Sequence, residues 1–216
     1  MKMRQIAIAA AAVFAAVPAR AGMVNMNFLP SAQVVNVGAT VSIDILLQAD
    51  GIAAESVSAL DAILDWDPTL LQLNGVNNAA AGYAWLAEGF LPDPDGINAS
   101  LTDGNAIYTA LGQLASPAFA PPPPGSLVVT TLEFTALAET AGTLVRFVPN
   151  MGMFGSTQIY AGFVPNTPIT GDISSTALVT IIPEPASVAC LLLAFQLAIV
   201  RWGRISAHQR TCTKTV

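Results

Sequence analysis

The chain has 216 residues, of which 53% are hydrophobic and only 10% charged, and its formal net charge is -6. Globular proteins usually carry about a quarter charged residues, so this composition describes one ordinary domain plus apolar segments and excludes a disordered chain. Residues 22–182 hold 13 of the 14 acids and one base, Arg146, a net of -12. The other bases sit at the ends, and an acidic body argues against nucleic acid as a partner, because phosphate binding needs clustered Lys and Arg.

In chain order, the first predicted element is an export signal. Lys2 and Arg4 precede an Ala-rich apolar run over 6–17. Ala19-Arg20-Ala21 has the small-x-small form that signal peptidase cuts, here before Gly22. The run is shorter than the roughly 20 residues a bilayer span needs. Residues 1–21 therefore read as a cleaved signal peptide rather than an anchor.

From 24 to 182 the signals are those of short strands. Val41, Ile43, Ile45 and Leu47 alternate with Ser42, Asp44 and Leu46, and Leu60, Ala62, Leu64 and Trp66 with Asp61, Ile63 and Asp65. Val128, Thr130, Leu132 and Phe134 alternate with Val129, Thr131 and Glu133. A period of two with one apolar face describes strands that cover a core from one side. Further strands are predicted over 24–28, 33–37, 70–73, 106–111, 144–148 and 173–181. Asp50-Gly51, Asp67-Pro68, Asn74-Gly75 and Asp103-Gly104 punctuate them. Residues 53–66, rich in Ala and Leu, also admit an amphipathic helix, but the alternation and the Asp-Pro stop favour a strand. About nine strands at this spacing predict an all-β antiparallel sandwich.

Val37-Gly38-Ala39-Thr40-Val41 opens one long strand, and Asp67-Pro68-Thr69-Leu70-Leu71 closes the strand over 57–66. Residues 126–138 place Leu132, Phe134 and Ala136 on one face of a later strand. In these three places the body, residues 22–182, resembles a cohesin domain. The resemblance implies a nine-strand jelly-roll sandwich, an architecture shared with carbohydrate-binding modules. It implies a role in holding a calcium-loaded dockerin-like partner, with the calcium in the dockerin and no metal site here. It also places the strand over 57–66 in the partner-binding face, with Asp61, Ile63 and Asp65 pointing out.

The only His, His208, and every Lys lie outside the body, so a Ser-His-Asp triad or lysine chemistry there is excluded. Cys190 and Cys212 also lie outside it, which excludes a disulfide, a thiolate zinc site or a thiol nucleophile in the body. Asp61, Asp65 and Asp67 are close enough in sequence for a glycosidase pair, though Asp beside a turn usually caps backbone N–H groups. Asp93, Asp95 and Asn98 form a fragment of a calcium loop around Gly96, without the full spacing of such a loop. Tyr83, Trp85 and Phe90 read either as core or as a stacking strip for sugar or a partner.

After the body comes Ile182-Pro183-Glu184-Pro185, then an apolar run over 186–200, then Arg201 and Arg204. This order resembles a PEP-CTERM sorting signal, residues 183–210, followed by a tail over 211–216. The run would make about 22 Å of helix against a core of roughly 30 Å, a single short transmembrane helix with its arginines inside. The resemblance implies recognition of Pro183, Glu184 and Pro185 by a membrane enzyme, exosortase, with release from an inner-membrane intermediate to the cell surface or the extracellular space. The sequence as a whole reads as an exported non-catalytic binding module without a cofactor. Its expected partner is dockerin-like, and the alternatives are polysaccharide binding or a structural role in envelope or matrix.

Overall fold

The computed structural model describes residues 22–93 and 96–184. The signal peptide, Asp95, Pro185, the apolar run over 186–200, Arg201, Arg204, both Cys and His208 lie outside the described residues. Fourteen strands are formed among them: β1 (Val24–Leu29), β2 (Ala32–Asn36), β3 (Thr40–Ala49), β4 (Glu55–Val57), β5 (Ala59–Asp65), β6 (Leu71–Asn77), β7 (Ala87–Gly89), β8 (Asn105–Leu111), β9 (Ala118–Ala120), β10 (Leu127–Ala136), β11 (Thr140–Phe147), β12 (Gln158–Ala161), β13 (Thr167–Pro168) and β14 (Thr176–Ile182). The nine strands expected from the sequence are all present, and 53–66 holds strands, not a helix.

The strands form two main sheets. One has the order β1-β3-β10-β6 and is antiparallel throughout. The other runs β13-β12-β5-β11-β14-β2, with β8 on β5 and β7 on β8. Alternation decides which side chains meet between the sheets. Val41, Ile43, Ile45 and Leu47 of β3 are fully buried, and so are Leu60, Ala62 and Leu64 of β5. Phe28 and Phe147 stack across the core at 4.0 Å, and Trp66 meets the edge of Phe134 at 5.5 Å.

Two details depart from the expected pattern. β2 runs parallel to β14, with Ala32 opposite Leu178 and Asn36 opposite Ile182, while the other paired strands are antiparallel. In β10 the register slips between Val128 and Thr130, so Val129 and Thr130 are both buried where strict alternation would expose Val129. The buried Thr130 hydroxyl donates to Asn78 Oδ1 at 2.5 Å, which satisfies it.

The turn after β5 is fixed by its own chemistry. Asp67 Oδ1 accepts the Thr69 hydroxyl at 2.6 Å and the Thr69 N–H at 2.9 Å. These two bonds, the hydroxyl's first, hold the Asp67 carboxyl below the usual carboxylate range. Gly104 closes the same corner with φ +97° and its carbonyl accepting the Trp66 N–H at 2.9 Å. A Cβ there would lie 2.8 Å from the Trp66 carbonyl oxygen and from Pro68 Cδ. Gly104→Ala is therefore expected to destabilise the domain by about 2–3 kcal/mol, a fall in Tm of about 5–10 °C by calorimetry. A fall below about 2 °C would show that the corner can move.

Candidate partner-binding face

The outer surface of the larger sheet is built around β5. One edge of β5 pairs with β8 along its whole length, from Ala59 opposite Leu111 to Asp65 opposite Asn105. The other edge is shared, by β12 at Leu60 and Asp61 and by β11 at Leu64 and Asp65. Thr157 fills the fork between them. Its hydroxyl oxygen accepts the Ile63 N–H at 3.0 Å and donates to the Val148 carbonyl at 2.7 Å.

Alternation turns Asp61 and Asp65 outward. Asp61 Oδ1 accepts the Thr109 hydroxyl from the directly opposite residue of β8, at 2.7 Å. Asp65 Oδ2 accepts Arg146 Nε from β11 at 2.7 Å, again directly opposite. Such a solvated ion pair contributes at most about 1 kcal/mol to stability. Tyr160 of β12 completes this part of the face. Its phenol pKa is raised, first by partial burial and then by the negative charge of Asp61.

Ile63 does not join them. The sequence places it on the outward side, but it is fully buried and stands outside the main core cluster. Its amide and carbonyl are held by Thr157 and Val148, which bring the connection from β11 to β12 against it. The exposed part of the face therefore rests on Asp61, Asp65, Thr109, Tyr160 and Arg146, without Ile63.

The calcium-loop fragment shows a different use of Asn98. β7 covers the free edge of β8 only from Thr109 to Leu111. Beyond it, Asn98 Oδ1 accepts the Ile107 N–H at 2.8 Å, and Asn98 Nδ2 donates to the Ile107 carbonyl at 2.8 Å and to Leu91 O at 2.9 Å. The side-chain amide thus continues the ladder where the strand stops, and its oxygen is engaged. Among the described residues no three His, Cys, Asp or Glu side chains group as metal ligands.

Tyr83, Trp85 and Phe90 do not form an open strip. Trp85 is 8% exposed and belongs to the core, and Tyr83 meets it edge-on at 4.8 Å. Phe90 packs edge-on against buried Tyr108 at 5.9 Å. The Tyr83 hydroxyl accepts the Gln113 N–H at 2.7 Å and donates to the Ser116 carbonyl, so Tyr83 pins the loop after β8. Gln113 Nε2 adds a bond to the Ala84 carbonyl at 2.8 Å.

That pinned loop walls a cleft of about 230 Å³ at the end of β5 and β8. Leu111, Leu114, Pro117, Phe163 and Pro165 give it an apolar lining, with Ser56 and Ser58 at its base. The sequence carries no local signal for it, because its residues come from three separate segments, 56–58, 111–117 and 162–165. Pro183 and Glu184 are exposed and follow β14 directly. No helix among the described residues is long and apolar enough to cross a membrane.

The architecture is similar to that of solved cohesin modules. The sixth cohesin of scaffoldin B from Acetivibrio cellulolyticus, solved in complex with a Cel5 dockerin, superposes with a TM-score of 0.53 at 15% identity, covering 74% of this chain and 99% of that one. The cohesin module of a family 33 glycoside hydrolase from Clostridium perfringens gives 0.53 at 12% identity, covering 76% and 99%. A type I cohesin–dockerin complex from Clostridium thermocellum gives 0.51 at 12% identity, covering 74% and 99%. The fold is cohesin-like. No family model and no curated protein matches the sequence.

Proposed function

We propose that this protein is an exported, non-catalytic recognition module that binds a dockerin-like protein through the outer face around β5. The supporting observation is the cohesin-like sandwich with an acidic outer face, on which Asp61 is fixed by Thr109 beside Tyr160. Two of the similar structures are described as complexes with dockerins. The engagement of Asp67 in its own turn and of Asp65 with Arg146 fits a binding role better than acid–base work. In this proposal exosortase takes the Pro183-Glu184-Pro185 segment, and the body reaches the cell surface.

Calorimetry with the dockerins of the Acetivibrio cellulolyticus and Clostridium thermocellum complexes is the direct test. Micromolar or tighter binding supports the reading, and no heat of binding with either contradicts it. The body has a net charge of -12 over residues 22–182. The association rate is therefore expected to fall at least about tenfold between 50 mM and 500 mM salt, because the steering field is screened. A rate that does not change with salt would remove the electrostatic part.

A further inference from the structure

We propose that the cleft at the end of β5 and β8 is an anchor site for one large apolar side chain of a polypeptide partner, and that Asp61 reads a Lys or Arg beside that anchor. The inference deepens the partner-binding reading above and rests on it.

The size of the cleft selects the class of occupant. At about 230 Å³ it is smaller than the roughly 300–1,000 Å³ of sites that enclose a cofactor or a drug-sized ligand. It suits a single aromatic or branched aliphatic side chain. Its walls are apolar, and two of their residues, Phe163 and Leu114, are 72% and 59% exposed. Large apolar side chains left open at the rim of a cavity gain by covering.

The cleft is formed before any partner arrives. The Tyr83 hydroxyl and the Gln113 amide hold one wall. The Gly112 N–H donates to the Ser58 carbonyl at 2.7 Å, an approach so close that a Cβ on Gly112 would lie 3.0 Å from that oxygen. In the other wall, Gly162 takes φ +99° at the turn that presents Phe163. A preformed pocket loses little to ordering when it is filled.

Charge identifies what stands beside the anchor. Leu111, at the inner edge of the cleft, is opposite Ala59, and Asp61 is opposite Thr109. Asp61 thus lies one same-face step from the cleft, about 7 Å along the strand. Among the described residues Arg146 is the only base, and it is engaged by Asp65 at 2.7 Å. An apolar hollow with an unopposed carboxylate about 7 Å away complements an apolar side chain with a cation at that distance. Two positions apart in an extended segment supply it, since such residues share a face.

The test uses three peptides on the full-length, isotope-labelled chain, followed by amide chemical shifts. They are Ac-Trp-Ala-Arg-NH2, Ac-Trp-Ala-Glu-NH2 and Ac-Ala-Ala-Arg-NH2. The first is expected to shift Gly112, Leu114 and Gly162 and to bind about fivefold more tightly than the second, the size of an exposed charge pair. It should bind about tenfold more tightly than the third, which lacks the anchor. Phe163→Ser, at an exposed position, should erase the advantage over the third peptide. Asp61→Asn should erase the advantage over the second. Equal binding of all three peptides, or no shift in the cleft at millimolar excess, overturns the proposal. A dockerin that binds Phe163→Ser as well as the parent, yet is lost on Asp61→Lys, removes the anchor site and leaves the wider reading in place.

Discussion

Asp61→Lys is expected to lower the association rate with a bound dockerin by at least about tenfold at low salt, with a smaller change in dissociation. The reversal exchanges one negative for one positive charge at the acid of the face that is not paired with Arg146. Charges of this kind act mainly on encounter and on specificity. The fold should tolerate it. Asp61 makes a single hydrogen bond, to Thr109, in a partly exposed position, so its loss costs about 1 kcal/mol, a few degrees in Tm. Asp61→Asn keeps an acceptor for Thr109 and should fall between the two. At 1 M salt, where charges are screened beyond about 3 Å, the parent and the Lys variant should converge. Stopped-flow association at two salt concentrations measures this. Equal rates for the parent and Asp61→Lys at low salt would take Asp61 out of the interface.

Much of this face was legible in the sequence, and the parts that were not have physical reasons. β3, β5 and β8 each cover the core from one side, so their alternation survives in the residues and fixes the outward position of Asp61 and Asp65. β7 and β9 have three residues each, and β13 has two. Strands so short have no period to read and exist through their partners, as β7 does through β8. Ile63 obeys the alternation and is still buried, because the fork between β11 and β12 brings Val148 and Thr157 to it from about 90 residues away in the chain. Nothing local to Ile63 signals that.

The aromatic residues teach a related lesson. Composition alone leaves Tyr83, Trp85 and Phe90 divided between core and binding strip. Their places are decided by partners distant in sequence: Gln113 and Ser116 for Tyr83, the core for Trp85, Tyr108 for Phe90. Phe163 has no such partner and stays open. Its exposure depends on a glycine turn at Gly162 rather than on any pattern of neighbours. The cleft therefore emerges only when the end of β8 and the turn after β12 are seen together.

In a host that carries an exosortase, Glu184→Ala is expected to abolish release of the body from the membrane while leaving export and insertion intact. The body ends in β14, whose last residues pair with β2 as far as Ile182 opposite Asn36. Pro183 and Glu184 come next and are exposed. Proline fixes φ and removes an N–H donor, so the chain cannot extend the ladder past this point. Glu184, between Pro183 and Pro185 in the sequence, is the single charge between the acidic body and the apolar run over 186–200. Ala at position 184 removes that charge. It leaves both prolines, β14 and the apolar run untouched, so folding and insertion have no reason to change. An enzyme that reads the segment loses its only ionic contact, and the expected outcome is near-complete retention in the membrane fraction. Mass spectrometry of the mature surface protein measures the cut. A parent protein whose C-terminal peptide lies near Pro183–Pro185, together with a Glu184→Ala protein that keeps residues 186–200, supports the sorting role. A parent surface protein that still carries residues 190–200 shows the segment to be a plain anchor.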